Sequence, residues 1–150
     1  MLTYRHFFRS ALAAFAVVLI TGCGMMETKP NMVAFTTQLR AGNEVPPADS
    51  NASGQIDAAL NKDTNLLRWQ LTYDGLSGPA TAGHFHGPAM AGANAGVALP
   101  FASPMTSPMA GQATLTAAQV ADLMAGKWYA NIHTAKFPGG EIRGQMTLRP

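Results

Sequence analysis

From residue 32 onward, apolar and polar positions alternate along most of the chain with the period of two that a half-buried strand requires. Met32 to Leu39 (MVAFTTQL) is the first such run, followed by a loop from Ala41 to Asp49. Ser53 to Leu60 sets Ile56, Ala58 and Leu60 on one side, and Leu66 to Tyr73 does the same with Leu67, Trp69, Leu71 and Tyr73. The polar stretch Asn61 to Asn65 between them is turn chemistry, so the pair predicts a hairpin. Thr81 to His86 and Val97 to Phe101 read as the next two strands. The intervening Gly87 to Gly96 (GPAMAGANAG) has no period and must be a loop, as must Ala102 to Ala110 (ASPMTSPMA). Gln112 to Leu115 is a short strand. Thr116-Ala117-Ala118-Gln119 has the capping-box pattern and opens a helix through Met124, with Gly126 placed to close it. Ala117, Val120, Leu123 and Met124 form its apolar side. Lys127 to Thr134 and Glu141 to Leu148 complete the pattern as a hairpin around Pro138-Gly139-Gly140. About eight short strands, one short helix and no internal repeat predict an all-β domain, an antiparallel β-sandwich or barrel.

The segment before residue 32 breaks this pattern and reads as an address. Arg5 and Arg9 precede the apolar run Ala11 to Ile20, whose length suits a signal peptide and falls short of a bilayer of roughly 30 Å. The chain's single cysteine follows at once, in Leu19-Ile20-Thr21-Gly22-Cys23. This resembles a bacterial lipobox. It implies a lipoprotein signal peptide over 1–22, cleavage before Cys23, and acyl chains (diacylglyceryl and palmitate) on its sulfur and new N-terminus. With Cys23 modified, no disulfide can form. Residues 23–31 would be the lipidated cysteine and a short tether. Two or more acyl chains hold a protein stably on a bilayer, so a membrane contact through the anchor is expected. By resemblance to Gram-negative lipoproteins, Gly24 after the cysteine favours the outer membrane, facing the periplasm or the cell surface.

Charge then excludes several classes. The chain has ten Lys and Arg against eight Asp and Glu, and the excess is Arg5 and Arg9, so the mature domain over 32–150 is neutral. It carries neither a basic nucleic-acid footprint nor an acidic cation sponge.

Chemistry concentrates in two segments, His84-Phe85-His86-Gly87-Pro88-Ala89 and Tyr129 to Gln145 (YANIHTAKFPGGEIRGQ). They resemble the H-x-H-G-P-A and Y-x-N-x-H-T…P-x-G-E-I-R-G-Q signatures of the CHRD (chordin) domain family. Leu39…Gly42-Asn43-Glu44-Val45-Pro46-Pro47 resembles the opening of the same domain. The resemblance spans nearly the whole mature chain and implies a β-domain. In the chordin family such domains belong to extracellular antagonists of growth factors, so it also implies contact with a protein partner, here at the cell envelope.

On a strand, His84 and His86 share one face, their Cβ atoms roughly 6.5–7 Å apart, and Asn131 shares a face with His133. If the two strands are neighbours, three imidazoles converge, a ligand set suited to copper or zinc. The alternative is a scaffold role, with His84 bonded to the Gly87–Gly96 loop and His133 to the Pro138–Gly140 turn. Met90, Met105 and Met109 fall in loops, where thioethers either bind Cu(I) or pack over the end of the domain. Glu141 and Arg143 read as an ion pair anchoring the turn, with Glu141 as an accessory metal ligand in the other reading. The H-x-H element resembles the copper strand of copper-zinc superoxide dismutases, although the further ligands and the disulfide of that family are missing. No nucleophile triad, reactive thiol or carboxylate pair can be assembled. The expectation is therefore a binding or interaction protein rather than an enzyme, with a three-histidine metal protein as the alternative and a dismutase-like redox enzyme as a remote third.

Overall fold

The computed structural model describes residues 31–150, so the expected signal peptide, Cys23 and nearly all of the expected tether lie outside the described residues. Three nine-residue strands, β1 (Met32–Arg40), β2 (Ser53–Asn61) and β3 (Leu66–Asp74), form an antiparallel meander in unbroken register. The β2–β3 turn forms because Asn61 Oδ1 accepts from the backbone N–H groups of Asp63 (2.9 Å) and Thr64 (3.2 Å). Asn65 then takes the left-handed conformation at φ 55°, which Asn tolerates better than most residues. β4 (Ala80–His86), β5 (Val97–Pro100), β6 (Met109–Thr114), α1 (Ala117–Met124), β7 (Tyr129–Thr134), β8 (Ile142–Gln145) and β9 (Thr147–Leu148) follow.

All strands of the described residues belong to one antiparallel sheet in the order β5-β4-β7-β8-β1-β2-β3-β6, with β9 added on β1. Laid flat, β3 and β4 would stand about 24 Å apart, five strand spacings. Their side chains nevertheless touch: the rings of Trp69 and Phe85 meet edge to face with centroids 5.4 Å apart. The sheet is therefore curled on itself around a concave core, which is the barrel-like form of the predicted all-β class. Phe35, Leu39, Ile56, Leu60, Leu67, Leu71, Ile132 and Ile142 fill that core with essentially no exposure.

The open side of the curl is laced by the segment between β5 and β6. Phe101 N–H donates to the Gly83 carbonyl oxygen on one edge, and Ser107 Oγ accepts from Tyr73 N–H on the other. Phe101 packs between Phe85 and Trp69. Here the structure departs from sequence expectation: β6 begins at Met109, because Met109 pairs with Leu71 in the ladder to β3, whereas alternation suggests a start at Gln112. The expected strand over 141–148 is also two strands. β8 pairs with β7 and, at Arg143, with Arg40 of β1; the fully buried Met146 turns into the core, and β9 pairs with β1 alone.

The helix agrees with expectation. Thr116 Oγ1 accepts from Gln119 N–H while Gln119 Oε1 accepts from Thr116 N–H, the reciprocal capping box, and Gly126 follows with φ 68°.

Candidate metal centre

The strands β4 and β7 lie side by side, with His84 opposite Asn131, His86 opposite Tyr129 and Ala82 opposite His133. Alternation sends Gly83, Phe85, Ala130 and Ile132 into the core and His84, His86, Tyr129, Asn131 and His133 to the outer face. The expected convergence follows. One ring nitrogen from each of His84, His86 and His133 can be chosen so that all three lie within 4.8 Å of one another. His84 Nδ1 stands 3.2 Å from His133 Nε2, and Asn131 Oδ1 stands 2.9 Å from both His86 Nε2 and His133 Nε2. His86 and Asn131 are buried, and His84 and His133 are half-buried.

The remaining ring nitrogens are engaged by backbone. The carbonyl oxygen of Ala95 lies 3.0 Å from His86 Nδ1, and that of Pro138 lies 2.9 Å from His133 Nδ1. The Pro138 contact is the anchor expected for His133. The Gly87–Gly96 loop is held by His86, not by His84 as the scaffold alternative supposed, because His86 ends β4 directly beneath that loop.

These contacts leave a deficit of protons. A neutral imidazole carries one N–H, yet His86 and His133 each face a carbonyl oxygen at Nδ1 and the Asn131 amide oxygen at Nε2. Two rings thus meet four oxygen contacts with two protons. If the protons sit on Nδ1, where the backbone carbonyls require them, both Nε2 lone pairs point at Asn131 Oδ1, and His84 Nδ1 joins the same cluster. Extra protons are disfavoured: burial, together with the nearby His133 and His86, holds His84 below 6.5. Burial also lowers His133, aided by His86 and opposed by the bond to Pro138.

A second group of polar side chains frames the cluster. Tyr129 lies against His86 with its hydroxyl at Ala95. Arg143, also buried, sits over the opposite face of the Tyr129 ring and donates to the Ala93 carbonyl oxygen (2.6 Å) and Asn94 Oδ1 (2.7 Å). Glu44, from the loop after β1, is 5 % exposed. Burial pushes its carboxyl up to about 7, against the pull of Arg143 and of the Asn131 amide. Its Oε1 is buried without a close hydrogen bond and, with Asn131 Nδ2, occupies the space where a Cβ on Gly140 would stand. Gly140 has φ 130°, so both its backbone and its neighbours require glycine.

The other candidates stand elsewhere. Glu141 and Arg143 do not pair with each other. The fully buried Glu141 accepts from Ser50 Oγ, Thr134 Oγ1, Ser77 N–H and Ser77 Oγ. Desolvation alone would raise its pKa, but these bonds hold it below the usual value. Its oxygens accept from Ser50 and Ser77 in loops and from Thr134 at the end of β7, which corrects the expected ion pair with Arg143. Met105 packs against Gly83 and the core, on the face of β4 opposite the imidazoles, and Met109 packs on the same core. Met90 is 61 % exposed on the loop.

Sequence reasoning placed Asn131 on the face of His133 but gave it no part in the site. Its position two residues before His133 was the available signal. Glu44 is 87 positions from Asn131 and carried no local signal beyond its family motif.

The CHRD domain family pattern matches residues 35–146. No curated protein and no solved structure matches the chain.

Proposed function

The chain belongs to the CHRD domain family, and we propose that it binds one divalent transition-metal ion, copper or zinc, through His84, His86 and His133. The observation that carries this reading is the convergence of three imidazole nitrogens within 4.8 Å while two of the rings have their other nitrogens on backbone carbonyls. Metal-binding histidines are typically held this way, the far N–H fixing the tautomer and aiming the lone pair. A cation at the cluster would supply the positive charge that the neutral rings lack. Copper binds such nitrogen sites more tightly than zinc in the general order of divalent ions.

From the lipobox-like Leu19-Ile20-Thr21-Gly22-Cys23 we infer separately that the domain sits at the cell envelope, tethered through a lipidated Cys23 and extending into an aqueous extracytoplasmic space. A protein-docking role beside metal binding draws support from one surface. Exposed Met90 and Leu148 flank a groove of about 380 Å³ that Leu123, Met124 and Met146 also line.

Calorimetric titration of chelator-stripped protein with Cu²⁺ and Zn²⁺ tests the metal reading. One equivalent should bind. His84→Ala, His86→Ala and His133→Ala should each cost more than the roughly 10–100-fold typical of losing a group that merely supports a ligand. Equal, weak and non-stoichiometric binding by the wild type and the triple variant would end this reading.

A further inference from the structure

A three-histidine site needs a fourth ligand to complete a tetrahedron, and the cluster already contains one oxygen. Asn131 Oδ1 stands 2.9 Å from two of the ligating nitrogens, and the nearest imidazole pair is separated by 3.2 Å. Ligand bonds of 2.0–2.1 Å in a tetrahedron put neighbouring donors about 3.3 Å apart. These three contacts therefore have nearly the spacing of ligands around one ion. We propose that Asn131 Oδ1 is the fourth ligand of the metal and that Glu44 is the positioning residue that turns this oxygen towards it. The proposal rests on the three-histidine reading above and deepens it.

The orientation of the amide decides whether Asn131 can ligate. Turned one way, Oδ1 meets the imidazole lone pairs and Nδ2 faces the neighbouring Glu44 carboxyl, beyond close hydrogen-bond distance of its Oε1. Turned the other way, Nδ2 would donate to the imidazoles and Oδ1 would be set against the carboxylate. In its ionised form, which prevails at the pH 8 of the test below, Glu44 only accepts hydrogen bonds, so it favours the first arrangement. Burial sharpens the preference, since Glu44 Oε1 has no close partner and the alternative places a second acceptor beside it. Gly140 makes the approach possible by leaving open the space that both groups fill. Glu44 thus acts on the metal through Asn131 and not by contact. Four protein ligands leave the ion without a position for substrate, which suits retention or transfer of a metal better than catalysis on it.

The test compares Cu²⁺ affinity by chelator competition at pH 8, together with the Cu²⁺ electron paramagnetic resonance spectrum, in wild type, Asn131→Ala, Asn131→Asp and Glu44→Gln. Asn131→Ala should weaken binding by roughly 10–100-fold and change the spectrum. Asn131→Asp keeps an oxygen at the site and should bind at least as tightly as wild type. Glu44→Gln removes the charge and replaces one of the two acceptor oxygens by a donor NH₂ without changing shape, which weakens the bias on the Asn131 amide, and should weaken binding about tenfold by the same comparison. Thermal melts of the metal-free variants establish that each is folded. Should Asn131→Ala not fold, Asn131→Asp and Glu44→Gln decide alone. Stoichiometric wild-type binding with unchanged affinity and spectrum in folded Asn131→Ala and Glu44→Gln would overturn this inference and leave the three-histidine site standing. Failure of the wild type to bind one equivalent would overturn the site itself.

Discussion

His86 lies flat against Tyr129, the two rings within 3° of parallel and their centroids 4.8 Å apart. Arg143 caps the far side of the column with its guanidinium carbon 3.4 Å from the Tyr129 centroid. Stacking and cation–π attraction hold aromatic planes in register, and Ala95 fixes the edge of the His86 ring. The plane of this imidazole is thereby set in the metal-free protein, so binding of the proposed ion would not have to order it.

Arg143 should be costly to lose. Arg143→Met keeps much of the packing but removes two charge-assisted bonds to the Gly87–Gly96 loop and leaves Glu44 without its cation. A stability loss of roughly 3 kcal/mol is expected. Urea denaturation reads that loss, and amide exchange at Ala93 to Ala95 should rise well above the wild-type rate. Unchanged exchange in this loop would mean that Arg143 does not hold it.

Glu141 offers a separate test, because its charge is held by hydroxyls and one amide. Glu141→Gln should destabilise by roughly 2 kcal/mol or more, since charge-assisted bonds are lost and an NH₂ is set against groups that donate. The carboxyl has a folded pKa below its ordinary 4.5, so its stabilising contribution is complete above that value and fades as pH falls through the folded pKa. Melts from pH 7 downward should show acid destabilisation in the wild type that is smaller in the variant.

Glu44 and the histidines should pull the metal-free protein in opposite directions. Glu44 rises from 4.5 to about 7 on folding, so the folded state holds an extra proton between those values. Its contribution to stability declines as pH rises across that window. His84 and His133 are lowered from 6.5, so their contribution is complete above 6.5 and declines as pH falls towards the folded values. Glu44→Gln removes the first trend. Chelated Glu44→Gln should therefore show stability rising with pH to about 6.5, more steeply than wild type. Identical profiles for the two proteins would contradict the assignment.

The anchor is tested by fractionation. Cys23→Ser removes the sulfur that the proposed acyl chains require, and on that proposal the protein should move from the membrane pellet to the soluble extracytoplasmic fraction. A serine variant that still pellets with membranes points to a different attachment.

Local rules made much of this fold legible. Thr116 and Gln119 announced the helix three residues apart, Asn61 to Asn65 announced a turn, and the alternation through His84-Phe85-His86 and Asn131-Ile132-His133 assigned faces. The pairing of β4 with β7 was only conditional in the sequence, because strand order is decided by which faces bury best together. The break at Met146 was hidden for a related reason. Alternation continues through it, and β8 ends only because the ladder to β7 stops while pairing with β1 resumes at β9. The partners of Glu141 lie on three separate segments, at Ser50, Ser77 and Thr134, and no spacing rule reaches across such distances. Glu44 is the same case, and the carboxylate beside Asn131 became visible only once the loop after β1 was folded over β7.

Core and site share the same two strands, alternating residue by residue along β4 and β7. A slip of one residue in their pairing would exchange the faces, turning Phe85 and Ile132 towards water and burying the imidazoles among hydrocarbon. No misregistered form could keep half its chemistry with a slightly poorer core. For this domain, correct strand pairing and a competent histidine cluster are a single event, and a molecule that passes the cell's quality control for exposed hydrophobic surface has already had its site inspected.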